Sequence, residues 1–159
     1  MNTQIFTVSL AIFVAIAGFN VERTKEITDS VTTEIDQPVR TIVINSNDQM
    51  KFDLKEIKVK AGEKVKLTLN HQGKFKKDVM GHNWVLLAAG TDVAKFATAA
   101  MSAKANSYIP AKGALVHTKL IGGGESTTIE FTAPKKGTYD FICSFPGHYS
   151  IMKGKFIVE

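Results

Sequence analysis

The chain has a single cysteine, Cys143, in 159 residues. One thiol excludes an internal disulfide and, because it lies far from the N-terminus, a lipid-modified N-terminal cysteine. Arginine is absent after Arg40, so positive charge in the rest of the chain rests on lysine. That argues against bidentate readout of bases or phosphates, and for a solvated surface that steers partners. Of the aromatic residues, ten are Phe, three Tyr and one Trp. This balance suits a packed interior better than a nucleic-acid stacking platform, and no nucleic-acid partner is expected. No internal repeat or low-complexity segment interrupts the chain. The glycine triplet Gly122-Gly-Gly124 lacks the strand-to-helix setting of a phosphate loop. No paired carboxylates or Ser/His/Asp array point to an enzyme; the one route to catalysis would be a substrate replacing a ligand in a modified site.

What is present begins with an uncharged apolar run from Ile5 to Phe19, with Ala15-Ile-Ala17 before Gly18 in the manner of a signal-peptidase site. Residues 1–17 are expected to be a signal peptide, and the mature protein to be periplasmic without stable membrane insertion. The leading Met1-Asn-Thr-Gln4 carries no Lys or Arg. The competing reading is an uncleaved segment that tethers the protein, although the run is shorter than the ~20 residues that span a bilayer. Residues 18–40 are charged, rich in Thr and Asp, and lack a sustained apolar period, as expected of a flexible leader. Three basic and five acidic residues leave it at −2, while 17 lysines against 10 acidic residues leave residues 41–159 at +7. The basic character belongs to the folded part.

Residues 41–159 suffice for one domain with one core. Lys64-Val-Lys-Leu-Thr-Leu69 alternates Val65, Leu67 and Leu69 with polar residues. Ile129/Phe131 and Phe156/Val158 form similar inward pairs. Turn signals at Ala61-Gly-Glu63, Gly122-Gly-Gly124 and Pro134-Lys-Lys-Gly137 separate such stretches. Many short antiparallel strands with Lys-rich outer faces indicate an all-β, Greek-key β-sandwich. Asp92–Lys104 breaks the pattern: it is Ala-rich, Val93, Phe96, Ala100 and Met101 recur at helical spacing, and Thr91 or Asp92 can cap its start. One inserted α-helix covering a sheet edge is expected there.

The chemistry concentrates near the C-terminus, where Cys143 is followed by His148 and Met152. A thiolate, an imidazole and a thioether form a soft, mixed set that suits copper; calcium and magnesium ask for oxygen ligands, and structural zinc for four strong N/S ligands. In Tyr139-Asp-Phe-Ile-Cys143 the odd positions share a face, which turns Cys143 inward beside the loop. His82, in the strand-like Met80-Gly-His-Asn-Trp-Val85, is the natural second imidazole. Two histidines, one cysteine and a weak axial methionine describe a blue-copper electron-transfer site. Trp84 has the parity of a core residue.

Four motifs carry a resemblance: Asn47-Asp-Gln-Met-Lys-Phe52, Val79-Met-Gly-His-Asn-Trp-Val-Leu86, His117-Thr-Lys-Leu-Ile-Gly122, and Cys143-Ser-Phe-Pro-Gly-His148 with Met152-Lys-Gly154. In order and spacing they resemble azurins, the bacterial type 1 blue-copper cupredoxins. The resemblance implies a monomer with one copper ion, shuttling electrons between redox proteins such as c-type cytochromes or copper/haem reductases. It implies Gly81 as a weak axial carbonyl opposite Met152. It also implies that Asn83 braces the ligand loop and bonds the thiolate, and that the Phe145 N–H donates to the same sulfur. Val79, Met80, Pro146, Gly147 and Ile151, with Phe145, match an apolar docking surface around an exposed edge of His148, and Phe75 is expected to join them in this chain. Of the remaining histidines, His71 matches a position near the site and His117 one near the surface; neither is a ligand. The missing disulfide departs from the family pattern. A copper carrier or buffer without electron transfer stands as the alternative function.

Overall fold

The computed structural model describes residues 38–159, so the signal segment and nearly all of the charged leader lie outside the described residues. Arg40, counted with the leader on composition, opens the first strand.

The alternation seen in the sequence becomes two packed sheets. Strands β1 (Arg40–Asn47), β2 (Lys51–Phe52), β4 (Lys64–His71) and β7 (Ser126–Thr132) form one, in the order β2-β1-β4-β7. The other has the order β3-β9-β8-β5-β6, from β3 (Glu56–Val59), β5 (Val85–Leu87), β6 (Ala114–His117), β8 (Gly137–Ile142) and β9 (Lys153–Val158). The sheets are mixed rather than purely antiparallel: β1 runs parallel to β4 and β3 parallel to β9. Alternation reports which side chains are buried, not the direction of the neighbouring strand, so the sequence carried no sign of this.

Between the sheets Val65, Leu67 and Leu69 lie beside Ile42 and Ile44 on the inner face of the first sheet, and Trp84, Phe141 and Phe156 fill the centre. The Trp84 ring lies 5.6 Å from Phe141 and 6.1 Å from Phe156, in tilted and edge-on contacts that aromatic quadrupoles favour. Burial of each such side chain is worth about 1.5–3 kcal/mol. Cys143 and Met152 belong to this cluster, so the residues expected to hold a metal are members of the core.

The inserted helix is α2 (Val93–Met101), capped by Asp92, whose carboxylate accepts from the Lys95 N–H at 3.0 Å. It covers a sheet face rather than an edge. Phe96, Ala97 and Ala100 are buried, and Phe96 packs with Val85, Leu87 and Ile142 on the side of β5 and β8 away from the main core. The buried stripe includes Ala97 and leaves Met101, expected on it, 54% exposed. A further single turn, α1 (Lys77–Met80), precedes Gly81. Its Lys-Asp-Val-Met sequence is too short to show a helical period.

Candidate metal centre

The site forms where β5 and β8 reach the same end of the sandwich. Cys143 is the first residue past β8; its N–H donates to the Met152 carbonyl at 2.9 Å, which ties the start of the ligand loop to its end. Inside the loop the Met152 N–H returns to the His148 carbonyl at 2.8 Å, and the His148 N–H to that of Phe145 at 3.1 Å. Across the sheet, His82 and Ile121 exchange two backbone hydrogen bonds of 2.9 Å. Gly81 is required beside them, because a Cβ there would collide with the Lys77 carbonyl. The loop and the His82 segment are therefore fixed by main-chain bonds.

The sulfur of Cys143 lies 3.6 Å from His148 Nδ1 and 3.9 Å from His82 Nδ1. Ligating atoms of these three residues all fall within 4.8 Å of one another, and all three side chains are buried. Two metal bonds of roughly 2.0 and 2.3 Å meeting at about 120° would put their donor atoms about 3.7 Å apart, close to the separation of the sulfur from each imidazole nitrogen. His82 Nε2 sits 2.9 Å from the Asn47 carbonyl; as the donor there it leaves Nδ1 free to ligate. Among the described residues no carboxylate joins the cluster. The donor set fits copper, with Met152, fully buried in the same core, as the thioether.

Burial sets the protonation state before metal arrives. It lowers the His82 pKa from 6.5 to about 4, against the hydrogen bond to Asn47. His148 is likewise lowered to about 4, by burial first and then by repulsion from His82 and His71. Burial raises Cys143 from 9.0 to about 12, while the backbone N–H groups of Asn83 and Phe145 pull the other way by favouring the thiolate. At neutral pH the imidazoles offer lone pairs, and a cation has one proton to displace, that of the thiol.

Further side chains support this arrangement. The Asn83 side chain accepts from the Ser144 N–H at 2.8 Å and donates to the Ser144 hydroxyl at 2.9 Å and the Ser107 carbonyl at 3.2 Å. It braces the loop, as expected, and it is its main chain that faces the sulfur. His71 is buried with its ring stacked 4.3 Å from that of His82, and its Nε2 lies 2.9 Å from the Met80 carbonyl. The signal for His71 was its place in the strand alternation after Leu69; nothing local marked Ser144. His117 is exposed and away from the cluster. Trp84 is a core residue, although its Nε1 is buried without a partner among the described residues.

Of the expected docking residues, Phe75, Val79 and Ile151 are 53%, 63% and 50% exposed. Gly147 is exposed, while Met80 and Pro146 are half-buried. Phe145 instead turns inward, its ring 4.7 Å from His148 and 5.1 Å from Tyr108. His148 is covered to a similar degree, because Phe145 lies against it and the loop folds over it.

A buried two-histidine, one-cysteine cluster at one end of a two-sheet β-sandwich, with Met152 buried in the adjoining core, defines the copper centre of a cupredoxin. Comparison with known proteins makes the class more particular. Residues 38–159 match the copper binding proteins of the plastocyanin/azurin family. Azurin from Pseudomonas chlororaphis is 40% identical over 123 residues, covering 73% of this chain and 95% of that protein. Azurin from Achromobacter denitrificans is 44% identical over 118 residues, covering 70% and 78%. Among solved structures, auracyanin A, a "blue" copper protein from Chloroflexus aurantiacus, superposes with a TM-score of 0.70 at 35% identity, covering 77% of this chain and all of that one. The chain belongs to the plastocyanin/azurin family of copper binding proteins.

Proposed function

We propose that the protein is a periplasmic one-electron carrier with a type 1 blue-copper site, shuttling electrons between redox proteins such as c-type cytochromes or copper/haem reductases. The observation that carries this reading is that Cys143, His82 and His148 are held together, buried, by main-chain bonds. Bound copper supplies the Cu(I)/Cu(II) couple. His82, Cys143 and His148 are the strong ligands in this reading, Met152 is the weak axial one, and the Gly81 carbonyl, 3.9 Å from the sulfur, is the opposite axial donor. Asn83 and Ser144 hold the loop so that the donors keep their places in both oxidation states. A rigid donor set reorganises little, which fast electron exchange requires.

In this reading His148 is the electron's exit, and Val79, Met80, Pro146, Gly147 and Ile151 form the apolar surface around it where a partner docks briefly. A small apolar contact suits such transient complexes. The protein acts as a monomer, exported by the segment 1–17 and carrying 18–40 as a leader, tethered only if that segment stays uncleaved. A copper buffer would favour exposed, readily exchanged ligands, and this set is buried. The test is the absorption spectrum of Cu(II)-loaded protein with stopped-flow exchange against a c-type cytochrome. An intense blue band and rapid exchange are expected, and Cys143→Ser abolishes the colour because the chain has no other thiol. A blue band surviving that substitution would refute the assignment; colour without electron exchange would favour the buffer.

A further inference from the structure

Lys74, Lys76 and Lys77, with Lys153, stand close in sequence to the docking residues as a charged rim expected to steer an acidic partner, and the fold gives Lys77 a defined position. The Lys77 backbone is pressed against Gly122, where a Cβ would come within 2.7 Å of the Lys77 nitrogen. The neighbouring Gly123 N–H donates to the Phe75 carbonyl at 2.8 Å. Facing it is the turn of residues 104–108, where Ser107 and Tyr108 both adopt left-handed conformations, with φ of 53° and 63°. Non-glycine residues rarely do so, and two in succession need support from their surroundings. Here the Tyr108 N–H bonds to Ala103 at 2.9 Å, the Ser107 N–H to Lys104 at 3.1 Å, and the Ser107 carbonyl to Asn83.

The outcome is a cleft of about 170 Å³ with Lys77 and Lys104 on its walls and Tyr108, Leu120 and Phe145 among its lining. Asp78 also lines it, so the cleft carries two cations against one anion. Neither lysine forms an ion pair with a described residue. The Phe145 that lines the cleft is the same ring that lies against His148. On the other side of the ligand loop, Lys55 Nζ donates to the Ile151 carbonyl at 3.0 Å, adding a cation that sequence distance hid.

We propose that this cleft receives a surface carboxylate, an Asp or Glu side chain, of an acidic electron-transfer partner, and so anchors that partner one ring away from His148. The proposal rests on the electron-carrier reading. The charged head pairs with Lys77 and Lys104 while the short apolar stem lies on Tyr108, Leu120 and Phe145. Such a contact fixes orientation at the encounter stage, and its strength falls with salt. A protein is favoured over a membrane because the cleft is a recess of about 170 Å³, which suits one side chain better than a broad lipid surface.

The anchor can be read without electron transfer. Copper(I)-loaded protein is titrated with hexacyanochromate(III), a redox-inert paramagnetic trianion, and NMR broadening is followed residue by residue. Amide signals of Lys77, Lys104 and Tyr108 are expected to broaden before those of Lys135 and Lys136, which sit at the far end of β8. Lys77→Gln with Lys104→Gln should remove that selectivity. In the second arm, hexacyanoferrate(III) takes one electron from the reduced protein and becomes hexacyanoferrate(II). The double variant should react roughly tenfold more slowly at low ionic strength, converging with wild type at high salt. Uniform broadening, broadening strongest at Lys135 and Lys136, or equal rates at low salt would each overturn the proposal. Binding to phosphatidylglycerol vesicles that is lost in the variant, with the hexacyanoferrate(III) rate unchanged, would reassign the cleft to a membrane surface and overturn it too. A colourless Cu(II) form would refute the electron-carrier reading alone, since the broadening needs no redox step.

Discussion

The five-stranded sheet separates two apolar clusters of different character. Between the sheets lie Trp84, Phe141 and Phe156 together with Cys143 and Met152; on the outer side Val85, Leu87, Ile109 and Ile142 pack with Phe96 of the helix. Strand β8 serves both, sending Phe141 inward and Ile142 outward, with Cys143 continuing the inward set just past its end. The metal ligands are thus an extension of the inter-sheet core. The helix covers the other face and shares β8 with the site; Tyr149 of the ligand loop packs against its cluster, while none of the candidate ligands does. Every candidate ligand lies on the inter-sheet side, so substitutions in the two clusters should differ in what they do to the copper end.

The largest test of that separation is a pair of truncations. Phe141→Ala should destabilise the protein by about 3–5 kcal/mol, because a fully buried ring leaves a cavity beside Trp84 and Phe52. It should also shift or broaden the blue band, since Cys143 is two residues on in the same cluster. Phe96→Ala should cost about 3 kcal/mol and leave the band in place. Chemical denaturation and absorption spectra measure both. Equal spectral change in the two variants would mean that the clusters act as one.

The inter-sheet cluster was largely legible in the sequence, and the reason is local. Val65, Leu67 and Leu69 announce themselves by alternation, and Cys143, His148 and Met152 by rarity and closeness. What depended on non-local pairing was not legible. The parallel neighbours β1 and β4 are joined by a chain that visits the other sheet, so no window of sequence contains both. Lys55 reaches Ile151 across 96 residues. In the outer cluster the helix was clear but its phase was not: Met101 is a stronger apolar signal than Ala97, yet the face toward Val85 and Leu87 has room for the smaller residue. Phe145 was expected at the surface because the resemblance marks it as part of a docking patch, and it is the edge-on contact with Tyr108 that turns it inward.

A finer test asks whether Met152 is only a core residue or also a donor. Met152→Leu keeps nearly the same volume, so stability should fall by less than about 1.5 kcal/mol. As a lost axial donor it should disfavour Cu(II) more than Cu(I), which raises the reduction potential while the protein stays blue. Cyclic voltammetry reads the shift directly. An unchanged or lowered potential would leave Met152 as packing alone.

The smallest effect concerns pH, and it follows from the same asymmetry: the outer cluster contains no histidine or thiol, whereas the inter-sheet side holds three perturbed groups. In copper-free protein, His82 and His148 are lowered from 6.5 to about 4. The unfolded chain takes up protons below pH 6.5 that the folded chain refuses until about pH 4, so stability should rise with pH across that window. Cys143 is raised from 9.0 to about 12, so its contribution is complete below pH 9 and is lost as pH climbs toward 12. A plateau between these limits is expected in denaturation midpoints measured against pH. Bound copper should flatten the acid limb, because ligated imidazoles cannot take protons, and its uptake at neutral pH should release about one proton, from Cys143. Phe96→Ala should lower the whole copper-free curve and leave its acid limb unchanged in shape, since its cluster holds no histidine. Phe141→Ala should weaken the limbs as well, because loosening the cluster lets water reach Cys143 and lessens the burial that shifts it. A midpoint that stays level from pH 4 to pH 6.5 would show that burial does not hold the two imidazoles neutral.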